Sequence, residues 1–166
     1  MTRDADFSGG MQLLGYGASS DAYHISTPRP DAKAQSSPFR RHCSTPALRP
    51  KTSAGLIHGT GTHHNDSMES RAVAAVFGNN TPCTSAKPQT GHTLGAAGAI
   101  EAAFAWGIAD RQSNPEGKLP PRLWDGQNDP DLPAINLTGD GWETEKRIAA
   151  SSSFAFGGSN CVLIIG

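Results

Sequence analysis

The sequence predicts an α/β layered domain with a mixed sheet. Three observations carry that expectation. Short apolar segments of strand character alternate with segments of helical period, Gly- and Thr-rich turns sit at their junctions, and the chain ends in two apolar runs around FGGSN, a hairpin signal. The 166 residues suffice for one domain with a real core, burying roughly 68–70% of the extended surface.

Residues 1–10 read as a disordered N-terminus and 11–166 as the domain. Met11–Ile25, MQLLGYGASSDAYHI, begins as an apolar stretch interrupted by glycines, the mark of a strand that bends or is closely approached by another backbone. STPRPD ends it. From Ala32 to Ser53 there are three prolines and no period of 3.6 or 2, so the segment is expected to be an anomalous 22-residue loop. Ala54–Ile57 is a short strand running into HGTGTHHND. In SMESRAVAAVFG, Met68, Ala72, Val73 and Val76 share one helical face, with Asp66 or Ser67 as cap and Gly78 as stop. A second short strand falls near Pro82–Ala86. A small-residue helix is expected over Thr93–Ala109; its glycines cost helix propensity, so tight packing is the expected compensation. Asn114–Leu137 is turn-rich, with an edge strand near Ala134–Leu137. Arg147–Phe154 and Cys161–Ile165 form the closing hairpin.

Fourteen basic and 15 acidic residues leave a formal charge of -1, which implies no general attraction to nucleic acid or an anionic membrane. The N-terminus lacks the basic flank and apolar core of a signal peptide, and no apolar run reaches the roughly 18 residues of a membrane span. A soluble cytoplasmic protein is the expectation. Cys43, Cys83 and Cys161 fit neither a disulfide framework nor a zinc motif and read as free thiols.

Chemistry is expected where strands meet turns. His58 in HGTGT, Lys87 and His92 in KPQTGH, and the FAFGGSN turn all lie at such junctions. Each alone has a bland explanation, a hydrogen-bonded structural histidine or a solvated lysine. Together, two imidazoles and an ammonium could line one cleft, and neutral imidazoles could donate to a developing enolate oxygen. Glu101, 14 residues beyond Lys87, could pair with it. A metal reading from His58, His63, His64 and Asp66 matches no compact zinc motif, and GHTLGAAG lacks the phosphate-loop pattern, so neither metal nor nucleotide is expected.

Taken in order, HGTGT, K-x-x-T-G-H-x-L-G-A-A-G and SFxFGGSN resemble the C-terminal half of the β-ketoacyl-acyl-carrier-protein synthases, condensing enzymes of the thiolase-like fold. SSDAYHISTP resembles the segment opening that half in elongating bacterial synthases. The resemblance covers about Leu13–Pro30 and Leu56 to the end. It implies the C-terminal half of a thiolase-like layered fold and an acyltransferase activity: decarboxylative Claisen condensation of an acyl thioester with malonyl carrier protein, in fatty acid or polyketide biosynthesis. His58 and His92 would be the imidazoles of a Cys-His-His site, Lys87 the family lysine, and Asp66 and Glu101 its acidic supports. Thr60 and Thr62 match the threonines that bind the phosphopantetheine arm, and Phe154 and Phe156 the gating aromatics. The usual glycine between those aromatics is Ala155 here. No cofactor is implied beyond the phosphopantetheine carried by the acyl carrier protein. That carrier is the expected partner, with a homodimer, or a heterodimer with a complete synthase or N-terminal half. HHNDSMESRAV and LPPRLWDG resemble synthases of specialised pathways, the aryl polyene type included.

Two departures stand against this. The family nucleophile is a cysteine in an A-C-S-type elbow of the N-terminal half, and none of Cys43, Cys83 or Cys161 matches it. In place of residues 32–53 the family has an Ala/Leu-rich helix, and loss of pattern at nearly constant length is what two compensating reading-frame shifts would produce. A non-catalytic remnant or interaction subunit is therefore the competing expectation.

Overall fold

The computed structural model describes residues 10–42 and 54–166. The strands are β1 (Leu13–Ser20), β2 (Ala54–Leu56), β3 (Cys83–Thr84), β4 (Ala149–Phe154) and β5 (Ser159–Ile165), and the helices α1 (Lys33–His42), α2 (His63–Phe77), α3 (Lys87–Thr90) and α4 (Ala97–Ala109). The sheet order is β1-β5-β4-β2-β3. β1, β5 and β4 pair antiparallel, whereas β4, β2 and β3 pair parallel, so the sheet is mixed as predicted. A register shift between Leu13 and Gly15 supplies the expected bend in β1.

Alternation along β4 and β5 divides the core into two layers. Ala150, Phe154 and Val162 join Ala32, Phe39, Met68, Ala72 and Val76 from α1, α2 and the turn before them. Ala149 and Ile165 join Ala105 and Ile108 of α4, with Ala54, Leu56 and Leu119. The sheet thus lies between α1/α2 and α4, and each β4 residue addresses one layer.

Residues 32–53 are not a continuous loop, because α1 occupies 33–42. Its inward face contains Gln35, Ser36 and Pro38 beside Phe39, so no apolar stripe marks it in the sequence. Phe39 packs edge-on against Phe77 at 5.3 Å. A proline inside a helix removes the donor to the carbonyl four residues back. For Pro38 that carbonyl is Ala34 O, and the Ser19 hydroxyl donates to it at 2.6 Å. The strand fills the slot the proline empties. Cys43 and the rest of that segment lie outside the described residues.

Helix α2 starts at His63, before the predicted Asp66 or Ser67 cap, with Thr62 at its N-cap. Asp66 instead sits in the first turn, where a carboxylate favours the helix dipole. Gly78 ends the helix as expected, its N–H reaching Ala74 O at 3.0 Å. The predicted strand at 134–137 reduces to a single bridge between Leu137 and Cys83. The helix predicted from Thr93 begins as a 3-10 turn over Leu94–Ala96 and becomes α-helical at Ala97. α4 buries Ala97, Glu101, Ala105, Ile108 and Ala109, while Phe104 and Trp106 on its other side remain exposed. Among the described residues, no helix is long and apolar enough to cross a membrane.

Candidate functional site

The parallel strands β2 and β3 end side by side, and the segments leaving them carry His58 and Lys87. After β2 the chain turns through Gly59 at φ +45°, where a Cβ would fall 2.6 Å from that of Ser85. This close approach brings the HGTGT turn onto the turn after β3, and Ser85 Oγ donates to Gly59 O at 3.2 Å.

Lys87 is buried and donates to three acceptors: His58 Nδ1 at 3.1 Å, His58 O and Glu101 Oε1. Glu101 reaches it from α4 and accepts a second bond, from Ser153 Oγ at 3.2 Å. A Cβ on Gly98 would lie 3.2 Å from that same hydroxyl, so a glycine one turn before Glu101 lets the helix approach β4. The pair expected between Lys87 and Glu101 is therefore present and fully enclosed.

His92 stands edge-to-face on His58 with ring centroids 5.3 Å apart. Phe154 approaches His58 from β4 at 5.9 Å. His92 Nδ1 accepts the Leu94 N–H at 3.3 Å. Both histidines thus have Nδ1 occupied as an acceptor, which leaves the proton on Nε2 in each. Burial, then the Lys87 ammonium and His92, push the His58 pKa down to about 3. His58 is consequently a neutral imidazole at physiological pH, offering one Nε2–H.

Sequence reasoning missed Glu69. This buried residue of α2 accepts the backbone N–H of His58 at 2.6 Å and of Gly59 at 2.7 Å. Asn65 Nδ2 and Ser152 Oγ, each at 3.3 Å, complete its shell. Burial raises its pKa to about 7, opposed by the Gly59 and His58 N–H bonds. Asp66, the acid expected to support Lys87, instead accepts from Asn65 Nδ2 at 3.2 Å. The signal for Glu69 was its place among Met68, Ala72 and Val73 on the buried stripe of α2.

Past Gly59, Thr60 and Thr62 bond each other through their hydroxyls at 2.9 Å, exposed to solvent. Phe156 is 78% exposed, in contrast to Phe154 at 7%. Ala155 is extended, φ −124° and ψ 160°, a conformation alanine adopts freely, so the substitution introduces no strain in the turn as folded. His63 and His64 pack on each other at 5.6 Å on the first turn of α2. Among the described residues, no three His, Cys, Asp or Glu side chains are placed to hold a metal. Cys83 is buried, its thiol pushed up to about 12 chiefly by burial, whereas Cys161 is exposed.

The profile of the family described as "Beta-ketoacyl synthase, C-terminal domain" matches residues 11–116. The 3-oxoacyl-[acyl-carrier-protein] synthase 2 of Synechocystis is 33% identical over 156 residues, 92% of this chain and 36% of that protein. A ketosynthase in complex with its chain length factor, from Xenorhabdus doucetiae, superposes with a TM-score of 0.83 at 41% identity, over 95% of this chain and 39% of that one. A type II PKS acyl-carrier protein in complex with its ketosynthase gives a TM-score of 0.81 at 26% identity, over 93% and 38%. The chain spans well under half the length of the relatives it matches.

Proposed function

We propose, from the premise that this chain belongs to the β-ketoacyl synthase family through its C-terminal domain, that it supplies the decarboxylating machinery of a 3-oxoacyl-acyl-carrier-protein synthase. One observation carries the reading: two imidazoles stand edge-to-face at 5.3 Å, each with Nδ1 occupied and Nε2–H free to donate. Directed at the thioester carbonyl of a malonyl group, these donors stabilise negative charge on that oxygen as the C–C bond to the carboxylate breaks. Carbon dioxide leaves, the electron pair forms the enolate, and the enolate carbon attacks an acyl thioester carbonyl, expelling its thiolate. A neutral His58 suits this role, since it neither competes for the malonyl carboxylate as a cation nor loses its donor.

Lys87 positions His58 rather than meeting substrate, because its three bonds go to His58 and Glu101. Thr60 and Thr62 are assigned to the phosphopantetheine arm of a carrier protein, and Phe154 and Phe156 to the acyl end of the cleft. The acyl-transferring thiol is assigned to a synthase segment outside this sequence, since none of Cys43, Cys83 and Cys161 stands in the A-C-S-type elbow of the family nucleophile and Cys83 is moreover enclosed and held protonated. That segment, on another chain or the same one, is the proposed partner together with the carrier protein.

The test is release of labelled carbon dioxide from malonyl carrier protein by the chain, alone and with a cysteine-bearing N-terminal half of a synthase. Release that falls by orders of magnitude in His58→Ala and His92→Ala is the expected result. Absence of release in both mixtures refutes the reading and leaves a non-catalytic interaction subunit.

A further inference from the structure

Gln35 is fully buried on α1 and has no part in the His58–Lys87–His92 cluster just described. Its Nε2 donates to Asp21 Oδ2 at 2.8 Å, while its Oε1 is buried with no partner among the described residues. An enclosed carbonyl with no donor is costly, and an apolar side chain of the same size would avoid it. What the amide contributes must therefore lie in its donor.

That donor serves a buried carboxylate. Asp21 also accepts the Tyr23 N–H and the Arg29 N–H, both at 3.1 Å, which holds the loop after β1 around it. On its other side it abuts the Phe156–Gly158 turn. A Cβ on Gly158, at φ +81°, would lie 1.9 Å from Asp21 Oδ1, and Asp21 N donates to Gly158 O at 3.0 Å. The loop grips the turn a second time where Gly157 N donates to Ile25 O at 2.8 Å.

We infer that Gln35 is a positioning residue for Phe156, acting through Asp21 on the turn that carries it. Without the amide donor, Asp21 Oδ2 keeps only the Arg29 N–H among the described residues, so the carboxylate is held less firmly and its contact with Gly158 loosens. Gln35, in the segment where the family's sequence pattern is lost, thus reaches the turn that carries Phe156 through Asp21. This rests on the assignment of Phe156 to the acyl end of the cleft.

The experiment compares wild type with Gln35→Met, which fills the same space, lacks the donor and removes the orphan carbonyl. Hydrogen exchange at the Gly157 amide is expected to rise about tenfold, the Val162 and Ile164 amides in β5 staying within about twofold of wild type. Asp21→Asn should give the same pattern. With the reconstituted synthase, KM for the acyl substrate should rise severalfold at nearly constant kcat. Equal exchange at Gly157 in both proteins, or a uniform rise at all three amides, overturns the inference. Exchange that changes as expected while KM does not move keeps the wiring and refutes the assignment of Phe156 instead.

Discussion

Replacing Lys87 by methionine tests the geometry of the site independently of any turnover. Lys87 and Glu101 are 6% and 2% exposed, so the variant leaves a carboxylate buried with one remaining partner, Ser153 Oγ at 3.2 Å. It also strips the donor from His58 O and His58 Nδ1. Removing one member of an enclosed ion pair costs about 3–5 kcal/mol, a large share of the roughly 5–15 kcal/mol that a domain has. Replacing both members by neutral groups escapes most of that cost, because no uncompensated charge is left inside. Lys87→Met should therefore shift the urea midpoint strongly at unchanged slope, and Lys87→Met with Glu101→Gln should recover most of the loss. The same variant lifts the His58 pKa only partway toward its ordinary value, since burial is a larger cause than the Lys87 charge. Histidine nitrogen shifts followed against pH would report the raised pKa, and loss of the Lys87 donor at Nδ1 would appear in them as tautomer exchange at His58. A single variant costing less than about 1 kcal/mol, or a double variant less stable than the single, refutes the reasoning.

Acid lability is the next consequence. His58 titrates near 3 when folded and near 6.5 when unfolded, so its stabilising contribution is present above 6.5 and is lost as pH falls toward 3. Glu69 has the opposite sign: raised from 4.5 to about 7, its contribution is present below 4.5 and is lost as pH rises through 7. The two slopes oppose each other between 4.5 and 6.5, and only the His58 slope, about 1.4 kcal/mol per pH unit, remains below. The stability difference between wild type and His58→Asn, from urea midpoints across this range, should shrink steadily as pH falls from 6.5; a constant difference would contradict the burial of a neutral imidazole. Alkylation with iodoacetamide at pH 8, mapped by mass, should modify Cys161 and spare Cys83 until the chain is unfolded, because Cys161 is exposed and Cys83 is buried. Ser19→Ala should cost about 1–3 kcal/mol by orphaning Ala34 O, and combining it with Pro38→Ala should restore most of that by returning the helical donor.

Much of the fold was legible because apolar period and turn chemistry agreed. The stripe Met68, Ala72, Val73 and Val76 is the buried face of α2, and the FGGSN turn does join two antiparallel strands. α1 was illegible for a physical reason. Its inward face sets Gln35 and Ser36 beside Pro38 and Phe39 with no apolar period, and the slot its proline empties is filled by a hydroxyl on β1, 15 residues away from the carbonyl it satisfies. Helix-period rules count apolar residues and treat proline as a breaker, so a helix whose partners are tertiary and polar escapes them. Glu69 escaped for a related reason: its place on the buried stripe of α2 marks it only as enclosed, and its shortest bonds are to backbone N–H groups, which carry no sequence signature.

The part of the site that motifs could not display is the logic by which His58 is held. Successive residues of β4 point to opposite faces of the sheet, and Ser152 and Ser153 each bond a carboxylate, Glu69 from the α2 layer and Glu101 from the α4 layer. Glu69 grips the backbone of the histidine through its N–H, whereas Glu101 acts on the ring through Lys87 and Nδ1. One carboxylate therefore fixes where His58 sits and the other fixes which nitrogen carries the proton. Loss of Glu69 should displace the imidazole with its tautomer preserved, and loss of Glu101 should free the tautomer of an imidazole still in place. Nitrogen chemical shifts of His58 separate the two, because only the second loss moves them toward the average of two tautomers.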